Sequence, residues 1–327
     1  MNLGDIQLPE KFLDRLFYIV PSEQLTEVLE SYIEPRVTSF RVNTALATTE
    51  EIIAGLNDLG IEWHQLSWFD KAFWIKAEDR MTLLTSPLMA EFKIYVQNLS
   101  SMIPPLVLDP QPGETILDVA AAPGSKTLQM ANLMNNEGQI LATDVDRNRL
   151  YKLQRNAGFH KADVVMPKHA DGEVLWKRYM EHFDKVLLDT PCSTEGRFRS
   201  GEPDTYRHWN IKKVRNVSQV QFRLIFSAIQ CLKPGGTLVY STCSMSPEEN
   251  EATIDKAIKK FGDAIEVIPT GFNFPDFSPP MKSWNERFFN DAVSESRRIL
   301  PNPLMEAFFV CKIKKLESTA HMRLPRR

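Results

Sequence analysis

The chain of 327 residues is 43% apolar and 25% charged, with a net charge of −3. That is the mix of a globular protein with a packed core, and its length allows about two domains of ~150 residues or one large domain with an extension. No apolar run approaches the ~18 residues of a membrane span, and the acidic start MNLGDIQLPEKFLDRL lacks the basic-then-apolar order of a signal peptide, so an intracellular protein with reduced thiols is expected.

From the N-terminus, the first ~35 residues read as two short amphipathic helices separated near Pro21, with Ser22, Gln24 and Glu27 marking the start of the second. TSFRVNT (38–44) reads as a strand, TTEEIIAGLNDLG (48–60) as a capped helix ended by Gly60, and IEWHQL and AFWIKA as two further strands. Residues 1–100 are expected to form a small α+β domain. From residue 113 the β-rich runs TILDVA, QILATDV, DVVMP, KVLLDT and TLVYSTC alternate with helical segments, and AIEVI and AFFVCKI complete the series. The alternation predicts an α/β, Rossmann-like domain over 101–316 with a seven-stranded, mostly parallel sheet. The basic stretch 317–327 is expected to be a flexible tail.

Ligands of such sheets sit at the carboxyl ends of the strands. ILDVAAAPGSKTLQMA (116–131) is a strand, a turn of small residues and a helix opened by Lys126. Small side chains let a ligand approach the backbone, but the stretch is neither G-x-x-x-x-G-K-[ST] nor G-x-G-x-x-G, so phosphate binding is not indicated. Asp144, at the tip of the next strand in ATDVDRNRL, suits ribose hydroxyls, and Asp171 in KHADG suits an adenine amino group. Taken singly, Asp144 reads equally well as a solvated turn acid. In order along the sheet, the three features favour a nucleoside without a phosphate linker, S-adenosylmethionine rather than NAD.

The four cysteines stand 39, 12 and 68 residues apart, with no C-x-x-C pair, which argues against a metal site. Cys231 and Cys311 read as core residues. Cys192 follows Pro191, which prevents the fourth strand continuing, and Cys243 ends the fifth, so both thiols should project from adjacent strand ends above the cofactor. The motifs RVNT, YVQNLSSMIPPLVLDP, DVAAAPGSKT, TDVDRNRL, DTPCS and YSTCSMSPEENE resemble those of the Sun-type RNA cytosine-5 methyltransferases over residues 36–313.

That resemblance implies methyl transfer from S-adenosylmethionine to carbon 5 of a cytidine in tRNA or rRNA through a covalent cysteine adduct. Spacing does not decide which thiol attacks. DNA cytosine methyltransferases use the P-C cysteine, here Cys192, whereas the RNA family uses the T-C cysteine, Cys243, and gives product release to Cys192. By the same likeness Ala120, Ala121, Ala122, Pro123, Gly124, Ser125 and Lys126 form the cofactor loop, Asp144, Arg149, Asp171 and Asp189 add contacts, and Asp189 and Lys126 serve the target base. A DNA enzyme should carry a large target-recognition segment, which is absent. A catalytically silent RNA-binding assembly factor would need neither both thiols nor the cofactor acids.

Residues 1–34 hold seven acidic and two basic side chains, 194–223 seven basic against three acidic, and 312–327 six against one. In the second segment Phe198, Tyr206 and Trp209 lie among Arg197, Arg199 and Arg207, which suits single-stranded RNA, although a basic helix with inward aromatics has the same pattern. Arg41 and Asn43 in FRVNT are further candidates for RNA contact or for support of the active site. The ends offer no room for a separate RNA-binding domain, so target choice is expected from the N-terminal unit, the loops or a partner protein. Neither a membrane nor a metal partner is expected.

Overall fold

The computed structural model describes residues 6–324. Helix α1 (Glu10–Ile19) buries Phe12, Leu16 and Ile19, a stripe of one helical face. Helix α2 (Leu25–Ser31) begins at Gln24 without a side-chain cap; the Ser22 hydroxyl donates to Glu23 instead. Both helices pack against Phe198, Trp209, Met245 and Ala307, residues of the second half of the chain.

Strands β1 (Thr38–Val42), β2 (Trp63–Gln65), β3 (Ala72–Ile75) and β4 (Ile94–Val96) form an antiparallel sheet in the order β2-β3-β1-β4. Helix α3 (Thr49–Asp58) starts with a capping box between Thr48 and Glu51, and short helices α4 (Arg80–Leu84) and α5 (Pro87–Ala90) follow. β1 is buried on both faces. Its alternate residues Phe40 and Val42 join the core with Ile52 and Leu56 of α3, while Ser39 and Arg41 hydrogen-bond to Gln97.

Helix α6 (Leu99–Leu108) contains Pro104 and Pro105. Each proline removes an N–H from the ladder. The Ser101 carbonyl, which Pro105 leaves without a helical donor, accepts from Gln97 Nε2 at 3.0 Å.

The main sheet comprises β5 (Thr115–Asp118), β6 (Gln139–Asp144), β7 (Val165–His169), β8 (Phe183–Asp189), β9 (Leu232–Thr242), β10 (Ile265–Ile268), β11 (Phe277–Ser278), β14 (Arg297–Ile299) and β15 (Phe308–Lys315); β12 (Ser283–Trp284) and β13 (Arg287–Phe288) form a separate hairpin. Strands β7-β6-β5-β8-β9 are parallel, and β15 pairs antiparallel to β9. The outer edge of β15 is shared by β10 and β14. The seven expected strands are therefore present, joined by the short β11 and β14. Helices α7 (Ser125–Leu133), α8 (Arg147–Phe159), α9 (Ile211–Cys231) and α10 (Glu251–Phe261) cover the sheet, and no helix among the described residues is long and apolar enough to cross a membrane. Residues 317–324, expected to be a loose tail, are docked: Thr319 is buried and bonds to Glu181 and Gln230, and Met322 and Leu324 pack on the core.

Candidate active site

A cavity of about 320 Å³ opens at the carboxyl ends of β5, β8 and β9. One wall is the turn from β5 into α7. The Ala121 N–H donates to the Thr143 carbonyl at 2.8 Å, tying the turn to β6. Gly124 has φ +111°, and a Cβ there would lie 3.4 Å from Leu153 Cγ of α8, so the turn requires glycine. Ala120 to Pro123, Ser125 and Lys126 line the cavity, whereas Gly124 shapes the turn without facing it.

Asp118 also lines this wall, although the sequence motif alone did not single it out. It accepts the Thr127 hydroxyl at 2.7 Å, and burial pushes its carboxyl up to about 7. Its position at the end of the first strand of the motif was the available signal.

The other candidate acids lie differently from expectation. Asp144 is buried beneath the turn, accepting the N–H groups of Ala122 (3.3 Å) and Asp146 (2.9 Å), and is not a cavity-lining residue. Arg149 lies over it, reaching Asp144 at 3.6 Å and the Ala122 carbonyl. Asp171 is not brought to the cavity; its carboxylate accepts the Glu173 N–H and caps the following turn beside Lys168 and Tyr179.

The opposite wall carries the thiols. Cys192 Sγ and Cys243 Sγ are 3.0 Å apart, both unoxidised, with Cys243 buried and Cys192 partly open. The Cys192 thiol is pushed well up, first by its hydrogen bond to Cys243 and then by burial. Arg197 faces the same cavity, and its guanidinium is held more firmly cationic mainly by Cys243. Glu306 braces Arg197 at 3.5 Å, and Phe308 from the same C-terminal stretch lines the cavity.

Lys126 bridges the two walls. It is buried, donates to Ser101 at 2.7 Å and to Asp189 at 2.6 Å, and lies 5.4 Å from the Phe308 ring centre. The other Asp189 oxygen accepts the Ser241 hydroxyl at 2.9 Å. A buried ammonium is tolerated because these partners compensate its desolvation.

Three of the expected RNA contacts are structural instead. Arg41 is buried, binding Gln97, Asn132 and the Ser125 carbonyl, and burial lowers it to about 10. Asn43 is buried against Phe92, Asn132 and His160. Arg199 donates to the carbonyls of Ser31, the last residue of α2, and of Ile33 and Glu34 just past it. Phe198 and Trp209 are buried against Phe12, so the inward-packed alternative holds for these aromatics. Arg197 and Arg207 remain exposed, the latter paired with Asp204.

A Rossmann-like sheet whose small-residue turn faces two strand-end thiols defines the methyltransferase class. The donor set fits a sulfonium nucleoside: a backbone-lined turn, Asp118, and three cations, each already engaged, Lys126 with Asp189, Arg149 with Asp144 and the turn, and Arg197 with Glu306, which leaves no unpaired cationic cradle for a pyrophosphate among the described residues. The profile of the family "16S rRNA methyltransferase RsmB/F" matches residues 105–314. The "tRNA (cytosine(49)-C(5))-methyltransferase" of Pyrococcus abyssi is 39% identical over 94% of this chain and 97% of its own length. The "Ribosomal RNA small subunit methyltransferase F" of Shewanella loihica is 34% identical over 95% of this chain, which spans only 63% of that protein. A solved "Methyltransferase Homolog Protein" from Pyrococcus horikoshii, 32% identical, superposes with a TM-score of 0.78 over 94% of this chain and 100% of that one. The chain belongs to the RsmB/F family, the Sun-type RNA cytosine-5 methyltransferases, whose methyl donor is S-adenosylmethionine. Among the described residues no group of three or more His, Cys, Asp or Glu could hold a metal ion.

Proposed function

We propose that the protein methylates carbon 5 of a cytidine in tRNA or rRNA, with Cys243 as nucleophile and Cys192 as the group that releases the product. The names of the two relatives, one a tRNA and one a ribosomal RNA enzyme, support the substrate class. The observation that carries the reading is the pair of thiols 3.0 Å apart, facing the turn that suits the cofactor.

Carbon 5 of cytosine is a poor nucleophile. Addition of a thiolate to carbon 6 makes it enamine-like. The bound cofactor supplies an electrophilic methyl group. The rest falls to side chains. Cys192 Sγ lies within hydrogen-bond distance of Cys243 Sγ, and Arg197 brings positive charge to the same side of the cavity; both features suit a nucleophile at Cys243. Asp189, steadied by Lys126 and Ser241, accepts a hydrogen bond from nitrogen 3 of the base once that nitrogen has taken up a proton in the adduct. After methylation a base must remove the carbon 5 proton; Cys192 takes that role once its own thiol proton has passed to solvent, and the Cys243 bond to carbon 6 then breaks as the double bond re-forms. Exposed Arg197 and Arg207 serve the RNA backbone, and the target base must leave its stack to enter the cavity. Target choice rests with the N-terminal sheet, the loops or an accessory protein.

Bisulfite sequencing of total RNA from strains with and without the gene is expected to show at least one protected cytidine lost in the deletion. Identical protection maps would contradict the proposal.

A further inference from the structure

Beneath the thiols lies a buried polar layer that this chemistry leaves unused. The loop after β8 carries Cys192, Ser193 and Glu195, and the loop after β9 carries Cys243, Ser244, Ser246 and Glu249. The two glutamates brace the loops reciprocally. Glu195 accepts from Met245 N (2.9 Å) and Ser246 Oγ (2.6 Å) on the other loop, and from Trp209 Nε1 (2.8 Å). Glu249 accepts from Ser193 N (2.9 Å) on the other loop and from Gln221 Nε2 (2.8 Å) of α9. All these donors are neutral, and both carboxyl groups are at most 1% exposed.

Ser244 lies between them, its Oγ 3.0 Å from Glu195 and 2.9 Å from Glu249. One hydroxyl has one proton. It can satisfy only one of two carboxylates, and the other would face a bare oxygen at hydrogen-bond distance. Glu195 already has three further donors, the pattern of an ionised acceptor. On Glu249 Oε1 the one hydrogen bond among the described residues is to Ser244, with the Ser193 hydroxyl, 3.0 Å from Ser244 Oγ, as the next nearest side-chain donor of the cluster.

We propose that Glu195 and Glu249 are positioning residues that share a single proton, carried by Glu249 and directed at Ser244, and so hold the two thiol loops in register. The shared proton leaves one negative charge rather than two beneath thiols that must ionise. The titratable groups facing Glu249 are Glu195 from the turn after β8, Cys192 from the same loop and Tyr240 from β9; Tyr32, just past α2, faces Glu195. Burial, then Glu195, raises Glu249 to about 7, consistent with that proton.

The inference rests on the methyl-transfer reading only in its kinetic arm. In the stability arm, melting temperatures of wild type and Glu249→Gln are compared from pH 4.5 to 8. A carboxyl raised from 4.5 to about 7 holds its proton in the folded state while the unfolded chain has lost it, so stability falls as pH rises through that window. Wild type should show this fall relative to Glu249→Gln; superimposable profiles would overturn the proposal.

In the kinetic arm, Glu249→Gln imitates the neutral acid, whereas Glu195→Gln turns an amide donor against existing donors. The kcat of Glu195→Gln is expected to be at least ~10-fold lower than that of Glu249→Gln, with KM for RNA changed less than about threefold in both. Equal losses, or the reverse order, would refute it. If Glu195→Gln does not fold, Ser244→Ala takes its place, with an expected loss of ~10-fold in kcat and KM held; an unchanged kcat would refute the bridging role. If wild type itself transfers no methyl group, the functional reading fails while the stability arm still decides this one.

Discussion

The two walls of the cavity are built by different means. The cofactor wall is mostly backbone: a turn tied to β6 by two N–H groups, kept open by Gly124 and small residues, with Asp144 buried behind it. The thiol wall is mostly side chain: two cysteines in contact, Lys126 paired to Asp189, and two buried glutamates lacing the loops. A wall of backbone groups spreads binding over many contacts. A wall of paired side chains concentrates chemistry in a few atoms, so single substitutions should hurt far more on the thiol side.

The largest effect should come from Cys243→Ala, expected to lower single-turnover methyl transfer by ~10³-fold or more, since the proposed division of labour gives addition at carbon 6 to this thiol. Lys126→Ala should follow, with kcat down ~10²-fold as Asp189 loses its partner and its orientation; a loss below threefold would show that the pair is structural. On the cofactor wall, Gly124→Ala should weaken S-adenosylmethionine binding by only ~10-fold in calorimetry, because the strained turn shifts rather than losing a reacting group. A loss as great as that of Cys243→Ala would erase the contrast between the walls.

The parts legible in sequence were those whose chemistry is local. A strand, a small-residue turn and a lysine read as one unit, and both thiols could be placed at strand ends from Pro191 and the strand patterns. What sequence could not supply was burial across elements. Arg41 and Arg199 carry the same charge as Arg197, and only the docking of the N-terminal sheet and of α2 turns them inward. Glu249 stood inside YSTCSMSPEENE and Glu195 two residues past DTPCS, but their role depends on two loops 50 residues apart meeting over Ser244. Helix α6 was hidden by its proline pair, which is tolerated because Gln97 serves the freed carbonyl.

Smaller effects test the arginine assignments. Arg199→Ala should cost about 1–2 kcal/mol of stability by leaving carbonyls unpaired, while the salt slope of RNA binding stays unchanged. Arg197→Ala should reduce that slope by about one phosphate contact, and Arg207→Ala by no more. A shallower slope for Arg199→Ala would return it to the RNA path. Finally, burial lowers His160, packed against Asn43, to about 4. Its contribution to stability is present above ~6.5 and lost as pH falls toward 4, since the unfolded chain takes up the proton first. A melting temperature that is flat across that window in wild type, and parallel in His160→Gln, would contradict this.

The central claim, two thiols with separate duties, is tested most directly by denaturing gel electrophoresis of the cysteine variants incubated with RNA and S-adenosylmethionine. Cys192→Ala should attack and methylate but stall before release, accumulating a methylated protein–RNA adduct, while Cys243→Ala, shown to bind RNA in a parallel assay, should give none. An adduct in Cys243→Ala and none in Cys192→Ala would contradict the account and make Cys192 the nucleophile.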